Sequence, residues 1–155
     1  MATTKVKIGE EFLGIGLYGP LRIGSSGEFD TKAGKEIVAE SIKAILSTTS
    51  RFKSQGFFIS GQRFMRDDFG CPQKILKHEN LDDNLIALAE SIYIEAIEKW
   101  EPRVVITGIR SQINEFQQSI STLIETLLKD TNETLNVVVI RDTKGQLNFK
   151  VLQAA

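Results

Sequence analysis

Several carboxylates in the middle of the chain are the residues with the most obvious chemical potential. Two carboxylates a few ångströms apart can cleave a glycosidic bond when an apolar setting keeps one of them protonated. Two adjacent acids, Asp82 and Asp83, fall in the first turn of a predicted helix, where negative charge suits the helix dipole. Another adjacent pair, Asp67 and Asp68, falls in a predicted turn. Helix and turn chemistry therefore already account for these four acids.

The single cysteine and the single histidine, Cys71 and His78, offer a second kind of chemistry. A thiol beside an imidazole can act as a nucleophile. No residue in the sequence is placed to orient the imidazole, and no glycine-rich loop accompanies the thiol. One cysteine and one histidine are also too few for a structural zinc site. We therefore expect a structural cysteine, no metal and no catalytic residue.

The stretch GIGLYG has the glycine spacing of a dinucleotide-binding loop, at Gly14, Gly16 and Gly19. In that fold the last glycine opens a helix whose N-terminal amides bind pyrophosphate. Here Pro20 and the glycine- and serine-rich segment after it prevent a helix from starting. The glycines therefore predict a loop, and we expect no cofactor.

The segment Trp100-Glu101-Pro102-Arg103 stands where a helical pattern changes into a run of β-branched residues. A helix end followed by a solvated charge pair would explain it. Tryptophan and arginine are, however, the side chains most often found as interface anchors. A guanidinium can hold a carboxylate through two parallel hydrogen bonds, and proline makes the backbone between the two charges stiff. The segment is therefore a candidate docking point from which Glu101 and Arg103 would project.

The elements that must position these residues follow from hydrophobic spacing. A first helix, capped by Asp30 or Thr31, ends near Ser50. An extended segment follows, and a second helix begins at the cap Asn80 and ends before Pro102. The apolar faces of the two helices are Ile37, Val38, Ile42, Ile45 and Leu46, and Leu81, Leu85, Leu88, Ala89, Ile92, Ala96 and Trp100.

The last third of the chain predicts a strand, a third helix and a β-hairpin. The third helix would run from about Ile113 to Asp130, within an extra segment at 111–132, with Ile113, Phe116, Ile120, Leu123, Ile124 and Leu127 on one face. In the hairpin, alternating apolar residues flank a turn at Lys144-Gly145. Those residues are Leu135, Val137 and Val139 on one strand and Leu147, Phe149 and Val151 on the other.

Length and composition fit one soluble domain. The chain has 155 residues, of which 41% are hydrophobic and 25% charged, and its net charge is −1. We expect an α+β domain spanning 1–155 and starting with a loop-rich segment at 1–28. It would contain a small mixed or antiparallel sheet, two to three amphipathic helices and the C-terminal hairpin. The near-zero net charge argues against nucleic-acid binding, and no apolar run is long enough for membrane insertion. The single cysteine indicates a reducing compartment, the cytoplasm.

Two motifs in a fixed order resemble the lysozyme-like baseplate wedge family. They are GQRFMRDDFGC, from Gly61 to Cys71, and, after the second helix, KWEPRVVI, from Lys99 to Ile106. The resemblance extends from about Leu13 to Arg110. Members of this family initiate the sheath in contractile phage tails, type VI secretion systems and extracellular contractile injection systems. The family's turn motif falls here on Arg63, Met65, Arg66, Asp68, Phe69 and Gly70. This chain departs from the family pattern at Gln62 and Asp67, and by the predicted third helix.

The resemblance implies a structural role at two surfaces. Trp100, Glu101, Pro102 and Arg103 would bind neighbouring wedge proteins. Sheath subunits would add as extra strands to the final hairpin, at Val137, Val139, Leu147, Phe149 and Val151. The family's position in a six-fold baseplate implies six copies, with inner tube or hub proteins as further candidate partners. The protein would assemble in the bacterial cytoplasm and then remain in the tail-like particle.

Two alternatives stay open from the sequence. The first is a murein-cleaving, lysozyme-like glycosidase, for which Glu101 and Asp68 would be the paired carboxylates. The second is a small free-standing adaptor that shares only the topology of the family.

Overall fold

A computed structural model describes residues 15–17, 23, 25, 27–29, 31–54, 57–61, 63, 65–76, 82–142 and 144–152. Most of the loop-rich segment predicted at 1–28 lies outside the described residues. So do the glycines at 14 and 19, His78, and the predicted cap Asn80.

The first helix, α1, spans Lys35–Ser47 and is preceded by two short strands, β1 (Ile15–Leu17) and β2 (Thr31–Ala33). Its buried face is Val38, Ala39, Ile42, Ile45 and Leu46, all but Ala39 as predicted, and the predicted Ile37 is partly buried. The predicted cap at Thr31 is wrong, because Thr31 belongs to β2 and pairs with Leu17. Gly34, at a φ of 62°, precedes the helix without a side-chain cap. Its lack of a Cβ permits this conformation.

The second helix, α2, spans Asp83–Trp100 and ends before Pro102, as predicted. The prediction of Asn80 as its N-cap is wrong, because the cap is Asp82, whose carboxylate accepts a hydrogen bond from the Leu85 amide at 2.9 Å. Asp83 in the first turn and Lys99 in the last both suit the helix dipole. The buried face consists of Leu85, Ala89, Ile92, Tyr93, Ala96 and Ile97.

A four-stranded antiparallel sheet forms the second layer of the domain. In chain order its strands are β5 (Val104–Asn114), β6 (Ser119–Leu128), β7 (Thr134–Asp142) and β8 (Leu147–Leu152), and they pair in the same order. One face packs against α1 and α2 and buries Val104, Ile120, Ile124, Leu128, Leu135, Val137 and Val139. The fold is therefore α+β, with an antiparallel sheet and, in the described part of the chain, two α-helices.

The predicted third helix between Ile113 and Asp130 is wrong, because the segment forms the β5–β6 hairpin. Strand β6 alternates between faces, and its even-numbered positions from 120 to 128 are buried. Two of them, Thr122 and Thr126, are threonines, so the apolar alternation is broken in the sequence. Their hydroxyls are hydrogen-bonded, Thr122 with the Ser111 hydroxyl at 2.9 Å and Thr126 to the Leu135 carbonyl at 2.6 Å. The remaining apolar residues therefore imitate helical spacing.

The C-terminal hairpin is confirmed in strands β7 and β8. Val137 pairs with Val151, and Val139 with Phe149. In the turn, the Gly145 amide donates to the Asp142 carbonyl at 3.0 Å, and Gly145 has a φ of 82°.

The connection between α1 and α2 contains a short hairpin and a 3-10 helix. Strands β3 (Phe52–Ser54) and β4 (Phe57–Ile59) pair with each other, and the 3-10 helix spans Gln73–Leu76. The turn motif lies between this hairpin and the 3-10 helix, and its last residue contacts the end of α1. There the Cys71 amide donates to the Thr48 carbonyl at 2.9 Å.

Candidate partner-binding site

The Glu-Pro-Arg unit is a rigid corner between α2 and β5. The Glu101 amide donates to the Ile97 carbonyl at 2.8 Å and ends the helix. Lys129, which directly follows β6, forms two hydrogen bonds to the corner. Its amide donates to the Arg103 carbonyl at 3.0 Å, and its ammonium donates to the Pro102 carbonyl at 2.6 Å. The proline and these bonds fix the backbone of the whole unit.

The two charged side chains of this corner bind each other. Arg103 donates from Nε to Glu101 Oε1 at 2.6 Å and from a terminal nitrogen to Oε2 at 2.7 Å. The Glu101 side chain is 1% exposed and the Arg103 side chain 30%. The expectation that both side chains project is therefore wrong for Glu101, which is buried and holds Arg103 in place.

The environment of Glu101 favours its charged form. Burial would raise the pKa of the carboxyl, but hydrogen bonds from Arg103 and Ser41 and the charge of Arg103 outweigh it, and the pKa is lowered. The same pair raises the pKa of Arg103. Ser41 belongs to α1, so this carboxylate also connects the corner to the first helix. Sequence reasoning missed Ser41 and Lys129, since neither belongs to a motif and only folding brings them to the corner.

The turn motif and the end of α2 meet through their aromatic rings. The rings of Phe69 and Trp100 are tilted by 56° with centroids 5.2 Å apart. Three cations cover them: Arg63 lies 4.5 Å from the Phe69 centroid, while Arg66 and Lys99 lie 4.8 and 4.7 Å from the Trp100 centroid. We call these five residues the aromatic–cation cluster.

The cations of this cluster face solvent, although their rings are partly buried. Arg63, Arg66 and Lys99 are exposed, as is Met65 between the two arginines. Lys99 also lies 3.7 Å from the Asp68 carboxylate. Desolvation on docking strengthens cation–π contacts, so this surface would gain from being covered by a partner.

Close backbone packing holds the turn motif in position. Gly70 has a φ of 108°, and a Cβ there would lie 2.2 Å from the Thr48 carbonyl oxygen. Asp67 forms an ion pair with Arg51 at 3.4 Å, and its carbonyl accepts from the Arg51 amide at 2.5 Å. Cys71 is fully buried, and burial raises the pKa of its thiol to about 12. Such a thiol stays protonated and unreactive, in agreement with a structural role.

The residues predicted to receive sheath strands separate into two groups. Val137 and Val139 lie in β7, between β6 and β8, and are 1% exposed, so they support the sheet from inside. Leu147, Phe149 and Val151 lie in β8, which is an edge strand.

The hydrogen-bond register shows which β8 backbone groups face outward. The Asp142 amide donates to the Gln146 carbonyl at 3.1 Å, so this position is a hydrogen-bonded pair. Because such pairs alternate along an antiparallel ladder, the N–H and C=O groups of Leu147, Phe149 and Val151 point away from β7. Their side chains lie on the core face, where Leu147 and Phe149 pack against the core.

The paired carboxylates considered for glycoside cleavage do not have the required environment. A general acid needs a raised pKa, whereas the pKa of Glu101 is lowered by its bonds to Arg103 and Ser41. Asp68 is exposed and ion-paired with Lys99. Within the described residues, no group of three or more histidine, cysteine or acidic side chains could hold a metal ion.

The model of the family "baseplate wedge protein gp25" matches residues 32–149, which include both helices, both motifs and most of the sheet. This chain belongs to the gp25 baseplate wedge family. It is therefore a structural component of a baseplate, where it contacts other baseplate proteins. No helix in the described part of this wedge protein is long and apolar enough to span a membrane.

Two solved structures share the fold of this wedge protein. One is a protein from Geobacter sulfurreducens provisionally named a tail lysozyme, with 24% identity over 80% of this chain and 96% of that chain and a TM-score of 0.56. The other is a chain of the six-fold symmetrised baseplate of the anti-feeding prophage, with 19% identity over 93% of this chain and 88% of that chain and a TM-score of 0.60. No curated protein sequence matches the chain.

Proposed function

We propose that this wedge protein docks to neighbouring wedge proteins through the end of α2 and starts the sheath by strand addition at β8. The observation that carries the proposal is the meeting of the two family motifs at one exposed surface, where Trp100 packs on Phe69 beneath three cations. A baseplate built with six-fold symmetry, as in the anti-feeding prophage, would contain six copies.

The docking surface combines a rigid corner with the aromatic–cation cluster. Pro102 is exposed and Arg103 is partly exposed, while the backbone of both is fixed by Lys129. A rigid surface loses little conformational entropy when a partner binds. Partly buried aromatic rings with cations around them resemble the anchor residues of interfaces. The partner that fits this surface carries carboxylates or helix C-terminal carbonyls, because the exposed side chains here are mostly cationic.

Charge reversal in the cluster tests the docking role without disturbing the fold. Arg66→Glu and Lys99→Glu change exposed side chains, so the free energy of unfolding should fall by about 1 kcal/mol for Arg66→Glu. It should fall by about 1–2 kcal/mol for Lys99→Glu, which also loses its ion pair and helix-dipole contact. Incorporation of the protein into baseplates should fall at least about tenfold, because repulsion replaces attraction at a desolvated contact. The measurement is the amount of protein in purified particles by quantitative mass spectrometry. Lys43→Glu, an exposed charge reversal on α1, is the matched control.

Arg103→Ala is a weaker probe of docking, because it also leaves Glu101 buried without its main partner. Its effect on incorporation has meaning only beside its measured stability. If Arg66→Glu and Lys99→Glu proteins enter particles as well as Lys43→Glu does, the docking surface lies elsewhere.

Among the described residues no strand pairs with the outer edge of β8, and this supports strand addition by the sheath. This edge offers the outward N–H and C=O groups of Leu147, Phe149 and Val151 to an added strand. An uncovered edge strand is an aggregation hazard, and a permanent partner is one way to cover it. The proposed edge needs only main-chain groups, so it would accept sheath arms of differing sequence.

Val151→Pro removes one outward amide from this edge. Val151 is 44% exposed, and its amide points away from β7, so proline should leave the pairing with Val137 largely intact. We expect a stable protein that enters baseplates but leaves them without sheath in electron micrographs. Val151→Thr keeps the amide and is the control. Sheathed particles with Val151→Pro would contradict strand addition at β8.

A murein-cleaving activity is the alternative, and the provisional name of the Geobacter structure is its only support. The lowered pKa of Glu101 argues against the expected general acid. The decisive assay is murein release by the purified protein and by its Asp68→Asn variant. Loss of a real activity in that variant would favour the enzyme over the structural proposal.

A further inference from the structure

A small pocket at the start of β8 is lined by two buried residues, each with a nitrogen donor that has no partner in the part of the chain that the structure describes. Its volume is about 250 Å³, and it lies between the end of α1, the 3-10 helix and the β7–β8 turn. Gln73 and Arg141 line it and are 8% and 6% exposed. Within the described part of the chain, Gln73 Nε2 and Arg141 Nε have no hydrogen-bond partner. A buried donor without a partner is costly, so two in one pocket point to a missing acceptor.

Arg141 reaches the pocket from β7 and keeps its charge although it is buried. One terminal nitrogen donates to the Leu76 carbonyl at 3.0 Å, while Nε has no hydrogen-bond partner among the described residues. Burial lowers the pKa of Arg141, and the neighbouring Tyr93, Asp142 and Cys71 oppose that effect. An arginine that remains charged in such a setting favours an anion nearby.

The rest of the lining also suits an anion. Lys74 and Lys144 contribute two further cations. The negative end of α1 is close, but the Ala44 carbonyl in its last turn accepts from the Thr48 amide at 3.1 Å and from the Ser47 hydroxyl at 3.4 Å. The nearest acid in sequence, Asp142, accepts from the Gln146 amide in the hairpin turn.

We propose that this pocket is an oxyanion-binding site, in which Arg141 and Gln73 donate to the bound oxygen atoms and Lys74 and Lys144 supply charge at the entrance. A planar carboxylate and a tetrahedral phosphate each present at least two oxygen atoms that can accept hydrogen bonds from two such donors. The source is either a free ion or an acidic group of a bound protein. The site does not depend on the docking or strand-addition proposals, because its evidence is the two unpartnered donors.

Titrations with inorganic phosphate and with acetate test the site on the intact protein. Two-dimensional ¹⁵N NMR follows the Arg141 Nε–H and the Gln73 side-chain amide, with chloride at equal ionic strength as the reference. Saturable shifts of both signals with an oxyanion support the site. A response to acetate indicates a carboxylate ligand, and a response to phosphate alone indicates a phosphate group. No shift, or the same shift with chloride, would mean that water fills the pocket and would overturn the proposal.

Substitutions distinguish anion binding at a localised site from nonspecific electrostatic attraction to the protein surface. The double variant Lys74→Gln/Lys144→Gln should raise the apparent Kd for phosphate by about fivefold to tenfold. Lys150→Gln, on an exposed β8 position outside the pocket, should leave the Kd unchanged. Gln73→Met fills similar space without a donor, so binding should weaken while the melting temperature stays level or rises. Equal weakening by Lys150→Gln and by the double variant would refute a localised site.

Discussion

Glu101 is the residue on which the corner between α2 and β5 depends. It ends the helix through its amide, accepts two hydrogen bonds from Arg103 and one from Ser41, and is almost completely buried. A buried carboxylate in this position is stable only while it stays paired. The acid therefore has a structural function, and Arg103 is the member of the pair that a partner protein can reach.

Glu101→Gln should reduce the free energy of unfolding at pH 7 by about 1–3 kcal/mol, because one hydrogen bond and the charge pairing with Arg103 are lost. The measurement is urea unfolding. In the parent protein the folded pKa of Glu101 lies below its ordinary value of 4.5. Its stabilisation is thus complete above that value and is lost as the pH falls through the lower, folded pKa.

The pH dependence distinguishes the ion pair from simple packing. The difference in stability between the parent and Glu101→Gln proteins should shrink as the pH falls from 5 toward 3. A difference that stays constant over this range would show that the charge of Glu101 contributes nothing to the corner.

At the scale of elements, the turn motif depends on one glycine more than on its charged residues. Gly70 combines a left-handed backbone with close contact to the Thr48 carbonyl. Gly145 in the β7–β8 turn has a similar φ of 82° but nothing within 4 Å of an added Cβ. A comparison of substitutions at the two glycines therefore distinguishes the cost of backbone strain from the cost of a steric clash.

Gly70→Ala should cost at least about 3 kcal/mol of unfolding free energy, and Gly145→Ala about 1–2 kcal/mol. The first substitution adds a clash to the strain, whereas the second adds strain alone. Thermal unfolding with chemical denaturation as a check measures both. Equal costs would mean that the chain near Thr48 moves away easily, and that the turn motif is not held by this contact.

At the scale of the whole molecule, helices and sheet share one core. α2 packs on β5, α1 contacts β7 and β8, and the buried apolar residues form a single cluster. The prediction of one domain stays a prediction, and cooperativity of unfolding tests it. Far-ultraviolet circular dichroism reports mostly the helices, and the fluorescence of Trp100 reports the end of α2 beside the turn motif.

Ile124→Ala should move both unfolding transitions together, with a cost of about 2–4 kcal/mol, because the side chain is fully buried in β6. Phe116→Ser, at the fully exposed tip of the β5–β6 hairpin, is the matched control and should change stability by less than about 0.5 kcal/mol. Separate transitions for the two probes would divide the chain into more than one folding unit.

Local patterns predicted the parts of the fold that depend on neighbours in the chain. Most of the buried faces of α1 and α2, the stop at Pro102 and the C-terminal hairpin follow from spacing and turn residues. The exception is Leu88, which the spacing predicts on the apolar face of α2 but which is 37% exposed. The hairpin of β5 and β6 does not follow from spacing, because the hydroxyls of Thr122 and Thr126 are satisfied across strands. A sequence pattern treats these threonines as polar, and only cross-strand pairing makes them suitable for a core.

The sequence by itself determined the α+β class, the two helices and the two motifs that carry the family resemblance, because each depends on residues close together in the chain. The tertiary structure alone decided which charged groups are accessible. It buried Glu101 under Arg103, and it placed three cations over Phe69 and Trp100. It also left one donor each of Gln73 and Arg141, which line the same pocket, without a partner among the described residues. Burial and pairing of a side chain depend on contacts between distant segments, and no spacing within one segment encodes them.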